Sequence, residues 1–413
     1  MQMRREVLLP RANDTLFLGA LRSLNQLGSD VIPLTYQWDG SPKWHSSKSK
    51  FFNSETPVTN PHLSQEKYVS DILNTIAQKG IESPFYLPTS DTNLIPLYKN
   101  KKLVQNVSYF GDRSNFQLID AFNNKGLLYA ELLKLDIPTP KTCYLPNICQ
   151  FTPNLLSPLS FPIIFKPAEK DTGQTFYSLA KRYKAVEIKC KNDVEKKLKP
   201  FQQYNGPLVF QEKVVFSSED NELPLYMNVS TDGSIISSVC GVKHLINPPR
   251  FGTAAILGVC APPKELLEIG ELIVSHFNWF GPIMIEFIFN EKNENWEVIE
   301  INGRPWLMID FFRRIGCNFL STLKSDQHHD AKFVSDYADF VHIDLSLLFY
   351  AFRKKLDGFV LNNYLNELDK KVTFTHFDPK DPEPGLSEAH IISEWTGNSI
   401  KSLIKTIDKF GVN

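Results

Sequence analysis

Hydrophobic and polar positions alternate most regularly from Pro282 to Phe312, PIMIEFIFNEKNENWEVIEINGRPWLMIDFF. Two apolar runs, Ile283–Phe289 and Trp296–Asn302, flank the polar stretch Asn290–Asn295, a pattern that predicts an antiparallel hairpin. With the turn centred near Asn293, Ile285 faces Ile301, Phe287 faces Ile299 and Ile288 faces Val298. One face of the pleat then carries Ile283, Ile285, Phe287 and Phe289 against Ile299 and Ile301, toward the core. The other sets Glu286 opposite Glu300, with Asn302 two residues along, beside Ile288 and Val298.

Upstream, apolar runs alternate with helical spacing. Glu6–Pro10 is a run; Leu16, Phe17, Ala20, Leu21, Leu24 and Leu27 share a helix face, Gly28 caps it, and Val31–Tyr36 resumes as a strand. A helix over Gln65–Gln78 and a strand over Phe85–Thr89 continue the alternation of a parallel sheet. Ser90-Asp91-Thr92-Asn93 then either lines an acceptor site at a strand end or caps the next helix. One helix through Lys125 runs over Phe116–Asp136 and closes at Ile137-Pro-Thr-Pro140. Phe161–Pro167 is a buried strand containing Lys166, followed by a polar loop, Ala168–Gln174.

Further on, Val186–Leu198 predicts a strand and an amphipathic helix, and Leu208–Val215 a strand. Leu225–Gly233 and Ser234–Val242 form a second hairpin turning at Asp232-Gly233. Lys243-His244 and Arg250-Phe251-Gly252-Thr253 sit on a Pro-rich loop, where cations could meet a phosphate or another anion. Ile269–Phe277 predicts a helix. Leu307–Phe312 returns to the core, and Arg313-Arg314 with Gly316-Cys317-Asn318 border a cleft. Ala331–Leu368 reads as helices, and Phe377–Pro384 as a surface loop before a last helix. His328-His329-Asp330 reads as a solvated loop rather than a metal site.

With 413 residues the chain has room for two or three domains, and 42% hydrophobic with 22% charged residues is ordinary for a soluble globular protein. A net charge of −1 argues against a general nucleic-acid binder. No apolar run approaches a signal peptide or a membrane span, so a cytoplasmic protein is expected. The six cysteines are scattered without a CxxC pair, as packing thiols would be. The first βαβ unit lacks a Gly-x-Gly-x-x-Gly turn, and phosphate-loop, kinase, hydrolase-elbow and His-Glu-x-x-His motifs are missing from the sequence.

Chemistry concentrates on the hairpin. Directly opposed like charges destabilise a ladder, so Glu286 and Glu300 call for a cation. Mg²⁺ takes oxygen ligands of this kind, carboxylates and an amide oxygen together with substrate phosphates. A wet hairpin with both glutamates in solvent is the competing reading.

Glu286 followed by Glu300-x-Asn302-x-Arg304 resembles the metal-binding signature of the ATP-grasp superfamily. The likeness spans roughly residues 5–320. It is strongest at Glu286–Arg304 and moderate at Asn124-Lys125-Gly126, at Lys166-Pro167 and at Gln211–Val214. The resemblance implies an α/β fold of the α+β ATP-grasp type: an N-terminal parallel-sheet domain (1–113), a small lobe with Lys125 and Lys166 (114–207), a large lobe with the metal hairpin (208–322) and a mainly helical C-terminal extension (323–413). It implies ATP held by Lys125, Lys166 and the hinge Gln211, Glu212, Lys213 and Val214, with Glu219 or Asp220 at the ribose. Mg²⁺, with Mn²⁺ as an alternative, would lie on Glu286, Glu300 and Asn302. Lys166 and Arg304 would act in catalysis. The segment AEKDTGQTF departs from the family, since Gly173 is the single glycine of its flap and leaves the roles of Thr172 and Gly173 open.

The activity implied is a carboxylate–amine ligase, similar to D-aspartate-ligase-like enzymes. It would make an acyl-phosphate and join it to an amine, with an amino acid or peptide as substrate and a homodimer as one possible assembly. Activation of bicarbonate, similar to carbamoyl-phosphate synthase or biotin carboxylase, and nucleotide binding without turnover are the alternatives.

Overall fold

The computed structural model describes every residue except 1–5, 37–43, 115, 170–172, 182, 218–220, 248–251, 324–331, 334–338, 352–360, 364, 367–369, 397–399 and 411–413. Its first sheet is parallel and contains β1 (Glu6–Pro10), β2 (Asp30–Tyr36), β3 (Thr56–Val58), β4 (Phe85–Tyr86) and β5 (Ser108–Tyr109), in the order β3-β2-β1-β4-β5. Helices α1 (Asp14–Gln26), α2 (Gln65–Lys79) and α3 (Asp91–Lys99) connect these strands. Asn13 starts α1 by accepting from the Leu16 N–H at 3.0 Å, and Gly28 takes the left-handed φ of +74° that turns the chain into β2.

The single helix expected around Lys125 is two, α4 (Phe116–Asn123) and α5 (Lys125–Lys134). Asn124 breaks it, because its Oδ1 accepts from Gly126 N–H (2.9 Å) and Leu127 N–H (3.3 Å) and so competes with the helical carbonyls. A second, antiparallel sheet follows, built from β6 (Thr142–Leu145), β7 (Ile163–Pro167), β8 (Val186–Ile188) and β9 (Leu208–Glu212) in the order β6-β9-β7-β8. Helices α6 (Gly173–Leu179) and α7 (Val194–Leu198) accompany it, so the polar segment after Lys166 turns helical at Gly173. Phe165, Phe176, Phe201 and Phe210 fill the core of this sheet.

The largest sheet has eight strands. Its first five are β10 (Glu222–Val229), β11 (Ile235–Asn247), β12 (Thr253–Cys260), β13 (Gly281–Asn290) and β14 (Asn295–Asn302), with α8 (Lys264–His276) between β12 and β13. Then α9 (Ile309–Arg314) leads to β15 (Lys332–Phe333), β16 (Phe340–Ile343), α10 (Leu345–Ala351) and β17 (Lys371–Phe374). The order is β14-β13-β10-β11-β12-β16-β17, with β15 on β11. The C-terminal part is therefore not simply helical. Besides the helices Glu383–Thr396 and Ile400–Phe410 it contributes strands to the sheet, and Phe340–Ile343, expected in a helix, is β16. A run as short as Phe340–Ile343, broken by His342, gives no periodicity to separate strand from helix. Lys243, expected on a loop, lies within β11.

One hydrophobic core joins the first sheet to the hairpin. Val7 and Leu9 of β1 and Phe17 and Leu21 of α1 pack in the same cluster as Phe122, Leu128, Ile283, Ile285, Phe287, Val298 and Ile301. Beside it lies a closed ion-pair cluster. Arg22 donates from Nε to Asp381 and from Nη1 to Asp310, both at 2.9 Å, and from Nη2 to the carbonyls of His376 and Asp381 at 2.8 Å. Arg313 pairs with Asp310 and Asp378, and Arg314 donates to the Phe377 carbonyl. These two arginines, expected at a cleft, hold the C-terminal segment instead. The segment from Phe377, expected as a surface loop, is buried at Phe377, Asp378 and Asp381 because its acids are neutralised from α1 and α9.

Candidate active site

In the β13–β14 hairpin Glu286 opposes Glu300 and Ile285 opposes Ile301, as the alternation predicts. Beyond that rung the register shifts. Phe287 faces Val298 instead of Ile299, and Ile288 faces Glu297 instead of Val298. Ile299 is the extra residue of a bulge, which reverses the in–out parity toward the turn. Val298 therefore enters the core, and Ile299 does not. The bulge is held from outside: the Tyr129 hydroxyl of α5 donates to the Ile299 carbonyl at 2.8 Å, and the Val298 N–H donates to Pro138 O at 2.9 Å. Glu297, turned inward, accepts from the side-chain amides of Asn290 and Asn293, each at 2.9 Å.

Cations surround the opposed carboxylates. Lys125 Nζ lies 3.7 Å from Glu300 Oε2, and Lys243 Nζ lies 3.6 Å from Glu286 Oε2 while bonding Glu222. Strand register delivers the last pair. Leu225 opposes Cys240, so three further steps along β10 and β11 bring Glu222 level with Lys243. Burial works against the Lys243 charge, but Glu286 and Glu222 outweigh it and its pKa rises.

Lys166 is different. Burial and then the nearby Lys125 push its pKa down to about 7, against the opposing pull of Glu300, Glu286 and Glu222. The two lysines are brought together by the backbone: Lys125 N–H donates to the Ala168 carbonyl at 2.8 Å, and Asn124 Nδ2 donates to Glu169 at 3.2 Å. Tyr177 of α6 stands in the same field; burial and Glu300 raise its pKa.

Arg304 follows β14. Its Nε and Nη2 both lie 2.9 Å from Asp91 Oδ2, Nη1 donates to Pro305 O at 3.1 Å and Nη2 to Asn302 Oδ1 at 3.4 Å. Burial lowers its pKa, but Asp91, with Glu300 and Glu286, raises it by more. Asp91 opens α3 beside Ser90, whose hydroxyl and Asn93 form a reciprocal cap. Of the two readings of the Ser90–Asn93 segment, the helix cap is the one observed. Gly303 is required here, since a Cβ would lie 2.6 Å from Trp279 and 2.7 Å from Phe122.

The expected hinge lies at the end of β9. Gln211 is buried and donates to Thr142 at 2.8 Å, and the Glu212 carboxylate accepts from Ser160 N–H at 2.8 Å. The Glu212 and Lys213 N–H groups are bonded to Lys141 O (2.9 Å) and Pro162 O (3.0 Å), while the Lys213 ammonium lies 3.1 Å from Glu187. Val214 is partly buried, next along the same crossing. Glu219, Asp220, Thr172, Arg250 and His328-His329-Asp330 lie outside the described residues.

No family model matches the chain, and no curated protein matches it by sequence. Solved structures do match by shape. The L-amino acid ligase of Bacillus licheniformis superposes with a TM-score of 0.55 at 14% identity, over 78% of this chain and 74% of that one. The N5-carboxyaminoimidazole synthase of Aspergillus clavatus, solved with ADP and 5-aminoimidazole ribonucleotide, gives 0.56 at 16% over 82% and 80%. The biotin carboxylase of Campylobacter jejuni gives 0.55 at 13% over 81% and 73%. The fold is that of the ATP-grasp ligases.

Within that ATP-grasp fold the donor set suits the groups it implies. Two opposed carboxylates and the Asn302 amide oxygen are hard oxygen ligands, and their present counter-charges are lysines at 3.6 and 3.7 Å that a metal could displace. Among the described residues no three His, Cys, Asp or Glu side chains gather as metal ligands, so the set needs the amide and phosphate oxygens to complete it. Lys166, partly buried beside Lys125, suits a phosphate anion. Glu222 carried no sequence signal, and Lys243 showed only as a loop cation. No helix among the described residues is long and apolar enough to cross a membrane.

Proposed function

We propose that the chain is an ATP-dependent ligase that activates a substrate carboxylate as an acyl-phosphate and joins it to an amine, forming an amide or peptide bond. The observation that carries this reading is the rung Glu286–Glu300 with Lys125 and Lys243 at 3.7 and 3.6 Å, long enough to be exchanged for ligand, and with Lys166 and Arg304 in the field of the same carboxylates. Mg²⁺, bound by Glu286, Glu300 and Asn302, would supply charge to the phosphate oxygens. Lys125 and Lys166 bind and orient the triphosphate, and the segment Gln211–Val214 borders the adenine, with Glu219 at the ribose.

Phosphoryl transfer asks chiefly for positioning and charge stabilisation. A carboxylate oxygen of the substrate bonds to the γ-phosphorus as the β,γ-bridging P–O bond breaks and ADP leaves. The amine nitrogen then attacks the acyl carbon, the carbon–oxygen bond to phosphate breaks, and the nitrogen loses a proton to solvent. Arg304 holds the acyl group through the planar fork of its guanidinium. Small-molecule carboxylate and amine substrates are the partners, amino acids or peptides foremost.

A screen of amino acids and dipeptides for stimulated phosphate release from MgATP tests this. Release of ADP that depends on both a carboxylate and an amine is the expected result. Release driven by bicarbonate alone would favour a carbamoyl-phosphate-synthase-like or biotin-carboxylase-like reaction, and nucleotide binding without stimulated turnover would leave a sensor.

A further inference from the structure

We propose that Asp91 recognises an ammonium group, so that the carboxylate substrate is an α-amino acid whose carboxylate takes over Arg304 while its ammonium takes over Asp91. The inference rests on the ligase reading and adds to it a residue and a substrate class. Arg304 Nε and Nη2 already hold a carboxylate oxygen, Asp91 Oδ2, at 2.9 Å, and the two side chains are 21% and 15% exposed. A guanidinium fork shaped for a carboxylate is thus filled by one from α3. An anionic substrate that enters the fork must part this enclosed pair, and a largely desolvated carboxylate that loses its counter-charge is costly. A substrate that carries its own ammonium removes that cost, because two ion pairs then replace one. A plain carboxylate does not.

The ground beside Asp91 narrows the class. Asp91 lines a cavity walled by Leu94, Ile95, Ile119 and Phe122, with Gly303 at the Arg304 end. Its volume is about 10 Å³, room for roughly one water-sized group. A space of that size, with Asp91 and Asn123 on its lining, fits one ammonium group. Asn123 lines the same cavity, and its Oδ1 is buried without a hydrogen-bond partner among the described residues. That oxygen is a second acceptor for an ammonium N–H.

Calorimetric titration of the full chain with alanine and propionate, in MgADP, tests the assignment. Hydrogen bonds between charged groups imply that alanine binds roughly tenfold to a hundredfold tighter than propionate. In Asp91→Asn, which keeps the side-chain shape, alanine should weaken by that factor. Propionate should bind as well as before or better, since no carboxylate then competes for Arg304. A merely structural role would weaken both ligands together, and circular-dichroism melting of the variant reports its folding separately. No alanine binding by the native chain, equal binding of alanine and propionate, or a retained preference for alanine in Asp91→Asn each overturns the proposal. Phosphate release in the same samples keeps the two readings apart. Selective alanine binding without amine-dependent release rejects the ligase and leaves the subsite. Turnover confined to carboxylic acids without an amino group rejects the subsite and leaves the ligase.

Discussion

Two clusters of acids and bases sit in this molecule, arginines with aspartates in one and lysines with glutamates in the other, and are built to opposite ends. Around Arg22 every ion pair is short and closed: 2.9 Å to Asp310 and Asp381, 2.6 Å between Arg313 and Asp310, with acids at most 7% exposed and carbonyls filling the remaining donors. Around the Glu286–Glu300 rung the lysine contacts are 3.6 and 3.7 Å, the carboxylates are 22% and 30% exposed, and like charges are left opposed. A saturated cluster has nothing to offer a ligand. A loosely paired one, with Lys166 held beside the like charge of Lys125, gains from binding an anion.

The largest expected effect lies in the closed cluster. Arg22→Met leaves Asp381 without its guanidinium and Asp310 with Arg313 alone, and should cost about 3–5 kcal/mol of stability, read from urea unfolding. Nucleotide binding by the molecules still folded should persist. Glu300→Gln should do the reverse. Turnover falls by about a hundredfold or more because a metal ligand is lost, while the unfolding midpoint stays within about 1 kcal/mol of the native chain. If Glu300→Gln destabilises as much as Arg22→Met, the distinction between the clusters is wrong.

The smallest effect is a pair of opposite pH slopes. His376, buried beside Glu388 at 3.0 Å, has its pKa pushed up to about 9, with the Glu388 charge overcoming the cost of burial. Its contribution to stability is whole below pH 6.5, its ordinary value, and is lost as pH rises through 9. Lys166 behaves in the opposite sense. Its folded value of about 7 lies below its ordinary 10.5, so the folded chain releases a proton that the unfolded chain keeps, and stability rises between those values. Each slope is on the order of 1 kcal/mol per pH unit. Between pH 7 and 9 they offset each other, so His376→Gln should expose the rise and Lys166→Met the fall in unfolding titrations. A native-like flat profile in both variants would contradict these assignments.

The sequence was informative where pattern is local. The alternation along Ile283–Asn302 opposes Glu286 to Glu300 for a turn centred near Asn293; the turn in fact pairs Asn290 with Asn295, and the bulge at Ile299 restores that rung. The bulge at Ile299 was not legible, since its holders, Tyr129 and Pro138, come from well over a hundred residues away. Glu222 and Lys243 meet only once β10 and β11 are paired, and nothing in ELPLYMNV or VKHLIN announces the partner. The acids after Phe377 looked solvated for the same reason: Arg22, which buries Asp381, lies 359 residues before it.

The account stands most directly on the fate of the carboxylate oxygens. With alanine labelled with heavy oxygen in its carboxylate, an amine acceptor, MgATP and the full chain, the acyl-phosphate route transfers one labelled oxygen into the inorganic phosphate released, and the nucleotide product is ADP. Unlabelled phosphate, or AMP and pyrophosphate in place of ADP and phosphate, would contradict it.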